Sequence, residues 1–259
     1  MISSINPSVK AIAVLIPGVL LGFMFDIFTP LAYFIFILLV TFTISGISIV
    51  KWLKIFSAFL VLVLGFAWMT MLYASDTYAG GEVLFEVWEF DVTTGSVMIA
   101  ISLALRSMCF LSLSLLFVLT TDSTKFMLSL MQQLKLPPKL TYGILAGYRF
   151  LPTFQEELSV LRKAHRIRGV KRSRGIRGRI NQFKRYSIPL LANAIRKAER
   201  VAIAMESKGF TDERDRTHYH EMKVRTRDWV FFGAIVGMFF VIVITSYSLG
   251  YLNIFGRKV

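Results

Sequence analysis

Several things are scarce in this chain of 259 residues, and each scarcity removes a class of function. There is one cysteine, Cys109, so neither an intrachain disulfide nor a cysteine metal cluster can form, and its apolar surroundings LRSMCFLSLSLLF read as packing for a small hydrophobe. No Gly-Lys pair occurs anywhere, which rules out a G-x-x-x-x-G-K-[ST] phosphate loop. A G-x-S-x-G elbow and an H-E-x-x-H helix are absent too, as is any pair of carboxylates inside the apolar segments of the sort a proton relay uses. His218 and His220 are one residue apart in a charged stretch, where histidines are ordinarily solvated. Acid is rare in the apolar segments, where Asp26 is the only one and stands at the end of the first. If the protein moves a solute, the energy comes from elsewhere.

What is plentiful is grease. Hydrophobic residues make up 55% of the sequence and aromatics 14%, more than a soluble domain of this size can hide. Apolar runs near 10–28, 29–50, 53–74, 96–119 and 229–250 are long enough to cross roughly 30 Å of hydrocarbon, and the first, which lacks a small-residue cleavage pattern, reads as a retained span. The expected fold is an all-α integral membrane protein with about five transmembrane helices: 1–119 holding the first four, 120–228 a cytoplasmic region, and 229–259 the last.

Charge assigns the sides. Residues 75–95 carry Asp76, Glu82, Glu86, Glu89 and Asp91 with no Lys or Arg, whereas 120–228 holds 24 Lys/Arg against 10 Asp/Glu. Basic residues mark the cytoplasmic side, which places the N-terminus and 120–228 in the cytoplasm of a multi-pass protein of the cell membrane. The basic run KAHRIRGVKRSRGIRGR (163–179) serves that bias, or contacts anionic lipid. Aromatic interleaving, which single-stranded nucleic acid would want for stacking, is missing from it, so no nucleic-acid partner is expected.

Within 120–228, a stretch too long for a loop without structure of its own, two amphipathic helices are predicted. Pro137-Pro138 opens one, with Leu151, Phe154, Leu158, Leu161 and Ala164 at helical spacing. Pro189 opens the other, with Leu191, Ile195, Ala198, Ala202 and Met205 as its stripe. The first ends in Ile167-Arg168-Gly169 and the second in Ser207-Lys208-Gly209. A cation followed by glycine is an ordinary helix stop, but its recurrence forty residues apart, on helices whose apolar faces have no soluble domain to bury them, suits docking to a partner. Arg106, midway along the fourth span, is a buried charge that favours a structural role. Arg149 raises the same question in Gly-Tyr-Arg-Phe, and Asp122 after Thr-Thr reads as an N-cap.

One family carries these blocks in this order. Asn-Pro-Ser-Val-Lys (6–10), Thr-Thr-Asp (120–122), Leu-Lys-Leu-Pro-Pro-Lys-Leu (134–140), Tyr-Arg-Phe-Leu-Pro (148–152), Glu-Glu (156–157), Ala-His-Arg-Ile-Arg-Gly (164–169), Pro-Leu-Leu-Ala-Asn-Ala-Ile-Arg-Lys-Ala-Glu (189–199) and Ala-Met-Glu-Ser-Lys-Gly-Phe (204–210) together resemble the T component of energy-coupling factor (ECF) transporters. The resemblance implies a non-catalytic coupling subunit of an ABC-type importer. It would have two ATP-binding-cassette ATPase subunits and a membrane-embedded, substrate-binding S component as partners, in vitamin or metal-ion uptake. It holds no cofactor itself; ATP would be bound by the partner subunits. Two Ala-Arg-Gly signatures on coupling helices dock on the ATPases in that family. They map here to Ile167, Arg168 and Gly169 and to Ser207, Lys208 and Gly209, with Glu206 beside the second. Ile and Ser replace the alanines and Lys208 an arginine, which removes one forked guanidinium. Ser173-Arg174-Gly175 is closer in letters but less well placed after Glu156-Glu157. The competing reading is a membrane-anchored interaction protein with a basic lipid- or RNA-binding face.

Overall fold

The computed structural model describes residues 4–73, 83–87, 90–169, 175–211, 213, 217–251, 253–254 and 257–258. These residues are overwhelmingly helical. In order come α1 (Pro7–Leu21), α2 (Phe28–Ile44), α3 (Ile49–Tyr73), the strands β1 (Val83–Val87) and β2 (Phe90–Thr93), α4 (Thr94–Thr120), α5 (Ser123–Gln133), α6 (Pro138–Ile167), α7 (Gly175–Ser207), α8 (Thr226–Ser248), and the short strands β3 (Asn253–Ile254) and β4 (Arg257–Lys258). β1 pairs antiparallel with β2, and β3 with β4.

Contacts divide the chain at 129/130 and 221/222, with residues 1–129 and 222–259 in one unit and 130–221 in the other. The first unit holds all five apolar helices. Its helix starts follow local chemistry: Pro7 opens α1 behind Asn6, whose side chain accepts the Ser8 N–H at 3.1 Å, and Asp26 Oδ2 accepts the Thr29 N–H at 2.7 Å ahead of α2. Thr93 and Ser96 form a reciprocal capping box at α4. Leu21, Tyr33, Ile37, Cys109, Leu113 and Phe239 then join α1, α2, α4 and α8 in one core. A second cluster, Ala13, Val40, Leu116, Phe231 and Ile235, seats α1 against α8, and Trp52, Phe56 and Leu115 fix α3 to α4. Cys109 is wholly buried and its thiol donates to the Pro30 carbonyl at 3.0 Å.

Each predicted span contains an apolar helix, with two differences. Among the described residues, α3, α4 and α8 are long and apolar enough to cross a membrane. α1 and α2, with 15 and 17 residues, reach only about 22–26 Å at 1.5 Å per residue. α1 stops ahead of a turn at 22–27, so Asp26, expected within the first span, stands outside both helices, and α2 stops at Ile44, just before Gly46 in the left-handed conformation at φ +69°. Most of α3 is exposed, as befits a helix whose neighbour is lipid or another membrane protein.

The second unit is an antiparallel helical hairpin, α6 and α7. Pro137 caps α6 and Pro138 starts it, as the sequence predicts. Pro189 does not open the second helix: α7 begins at Gly175 and carries Pro189 in its interior. Proline costs a helix one N–H donor and a clash, but the Arg-, Lys- and Gln-containing stretch before it propagates a helix well, and the turn that follows restarts the bonding. The apolar stretch 140–152 lies inside α6.

Candidate coupling site

The two cation–glycine triplets are built alike. Ile167 is the last residue of α6, Arg168 its C-cap, and Gly169 has φ +71°, the left-handed conformation that a side chain resists. Ser207 ends α7, Lys208 follows and Gly209 has φ +76°. There the Gly209 N–H donates to the Glu206 carbonyl at 2.9 Å and the Phe210 N–H reaches back to the Met205 carbonyl at 3.0 Å, the paired bonds of a Schellman stop. At α6 the Arg168 N–H donates to the Ala164 carbonyl and the Gly169 N–H to the Arg166 carbonyl, both at 3.1 Å. All six residues are exposed, and Ile167, at 87%, is a large hydrophobe held almost wholly in the open. Glu206 and Arg149 are exposed on α7 and α6. Arg174 lies outside the described residues.

Within the hairpin the triplets stand at opposite ends. Phe210 packs edge-on against Tyr142, ring centroids 5.5 Å apart, so the Ser207–Gly209 end lies by the start of α6. Between Tyr142 and Ile167 the helix rises roughly 35 Å. Lys197 of α7 pairs with Glu157 and lies 5.4 Å from the Phe150 ring, and further along His165 meets Tyr186, centroids 5.5 Å apart. Gly143, Ala146 and Gly147 of α6 and Ala194, Ala198 and Ala202 of α7 carry too little side chain to fill the space they line, which leaves an apolar groove of about 550 Å³. The predicted α7 stripe is only partly used: Leu191 and Ile195 remain 62% and 60% exposed, while Leu190, outside that stripe, is buried.

Two blocks to which the sequence assigned no contacts meet in the first unit. Lys10, fully buried, donates from Nζ to the Thr120 carbonyl and Oγ1, each at 3.1 Å, and to Thr121 Oγ1 at 3.4 Å. Ser8 Oγ donates to Ser129 Oγ at 2.8 Å. Asp228, 3% exposed, accepts the Asn6 N–H at 3.0 Å and the Arg225 N–H at 2.7 Å. A low-dielectric interior tolerates an ammonium only with such partners. Thus 6–10, 120–122 and the start of α8 form one polar clamp. Asp122 caps α5, its Oδ1 accepting the Lys125 N–H at 2.9 Å.

A second polar cluster fixes the α1–α2 turn. Arg106 Nη1 donates to the carbonyls of Gly22 at 3.0 Å and Met24 at 3.3 Å, and its guanidinium lies 4.8 Å from the centre of the Phe25 ring. Ser102 Oγ donates to the Asp26 carbonyl at 2.9 Å and Ser246 Oγ to Asp26 Oδ2 at 3.2 Å. Carbonyls left over where α1 stops are what Arg106 satisfies, a structural task.

Residues 1–219 match the model of the family CbiQ, cobalt transport protein. The energy-coupling factor transporter transmembrane protein EcfT of Lactococcus lactis subsp. cremoris is 25% identical, over 88% of this chain and 89% of its own length. The EcfT proteins of Exiguobacterium sibiricum and Bacillus subtilis are 32% and 30% identical, over 67% and 55% of this chain and 66% and 57% of theirs. Matched across most of its length, this chain belongs to the CbiQ family, as a non-catalytic transmembrane component of energy-coupling factor transporters.

Proposed function

We propose that this chain couples ATP-driven movement of two ATPase subunits to an S component that binds the vitamin or metal ion taken up. The observation that carries the reading is the matched construction of Ile167–Gly169 and Ser207–Gly209: two exposed cations on left-handed stops at opposite ends of one hairpin, spaced to engage two copies of a partner. Closure of an ATPase pair would shift both ends, and helices transmit such a shift as rigid elements. Purification of the tagged chain from its host should bring down ATPase subunits and a small membrane protein. The chain alone should not turn over ATP, since it has no phosphate loop. Turnover that stays with the single chain after trace ATPase is removed would sink the coupling reading.

We place 120–228 and the N-terminus in the cytoplasm, and 75–95 outside, on the asymmetry of their charge. A membrane-impermeant thiol reagent applied to intact cells should label a cysteine introduced at position 80 and spare one at position 208. The reverse pattern would invert the assignment.

A further inference from the structure

We propose that the first half of α7, residues 175–188, is an interfacial helix that binds the anionic headgroup layer of the membrane. Ile176, Ile180 and Phe183 recur at helical spacing and are 81%, 51% and 71% exposed, an apolar ridge with nothing from α6 upon it. Two turns beyond Phe183 the same face buries Leu190, and Tyr186 meets His165 beside it, so the ridge is the stretch of that face left exposed ahead of the contact with α6. At about 100° per residue, Arg177 and Lys184 lie roughly 80–100° to one side of the ridge and Arg179 about 60° to the other. All three are exposed. Cations on both shoulders of a narrow apolar ridge let the ridge enter the acyl boundary while the charged heads remain at headgroup level.

The sign of the charge selects the partner. No Asp or Glu occurs between Glu157 and Glu199, so nothing on this stretch offsets the attraction to an anionic surface. The proposal is independent of the coupling reading, because it concerns neither Arg168 nor Lys208.

The test uses the full chain in lipid nanodiscs, with bimane on a cysteine at Phe183→Cys; Cys109, fully buried, stays unlabelled. Quenching by shallow doxyl-labelled lipid should be at least about threefold stronger when phosphatidylglycerol is added to phosphatidylcholine, and should weaken as salt is raised. Added to that chain, Arg177→Gln/Arg179→Gln/Lys184→Gln should abolish the difference, whereas Arg196→Gln/Arg200→Gln, on another face of the same helix, should preserve it. Quenching indifferent to lipid charge overturns the proposal, as does equal loss in both variants. A probe that is shielded only when ATPase subunits or RNA are added gives the ridge to that partner instead.

Discussion

Arg168→Glu is expected to weaken binding of ATPase subunits by about 2–5 kcal/mol, the cost of breaking a desolvated charged contact. Arg168 is exposed and caps α6. A cation that serves only as a cap is worth below about 1 kcal/mol, and its loss falls on stability. Assembly and stability therefore separate the two roles. Lys208→Glu should act in the same direction but less strongly, because an ammonium lacks the guanidinium fork; Lys208→Arg should be tolerated or improve binding. The comparison is a pull-down with Arg168→Glu, Lys208→Glu and the double variant, with Arg174→Glu as the control for basic charge alone. Loss of assembly in Arg174→Glu with Arg168→Glu intact would transfer the docking role to Arg174. Normal assembly in all four would end the docking hypothesis.

Asp228→Ala should cost roughly 2–4 kcal/mol of stability, because it strips the acceptor from two backbone N–H groups at once. Those are Asn6 and Arg225, and Asn6, like Asp228, is buried, so water cannot readily take the place of the carboxylate there. Asp228→Asn keeps one carbonyl oxygen and should lose about half as much. Exposed Arg227→Ala next door should change stability by less than about 0.5 kcal/mol. Thermal unfolding in detergent, followed by circular dichroism, ranks the three. An Asp228→Ala protein as stable as its parent would show that the clamp does not hold α1 to α8.

What could be read from the sequence was what local chemistry decides. Pro137-Pro138 starts α6, Asp122 caps α5, and Gly169 and Gly209 stop α6 and α7, each through bonds to neighbours a few residues away. Pro189 misled because a proline ordinarily opens a helix, and the basic charge of 175–188 hid the helical spacing of Ile176, Ile180 and Phe183. Lys10 and Asp228 were opaque for another reason. Their partners Thr120 and Asn6 are 110 and 222 residues away, and no periodicity reports a contact at that range. The break between α1 and α2 at 22–27 was likewise hidden in hydropathy, which averages Asp26 into its greasy neighbours. The triplets themselves were visible; that they are built to one pattern at opposite ends of a hairpin required the fold.

The bond from Asn6 to Asp228, with Ala13 seated among Phe231 and Ile235, also sets an order of events during synthesis. A ribosome working at about 5–20 residues per second needs on the order of ten to forty seconds to pass from the first helix to the last. Throughout that interval α1 and α2 lie in the nascent protein without the element that closes over both. Tyr33 has no Ile235 carbonyl to donate to, and the Asn6 amide has no carboxylate. Helix α8 is thus the last stone of the arch, and a nascent chain arrested before Thr226 leaves the first helix with an open flank and an unanswered donor.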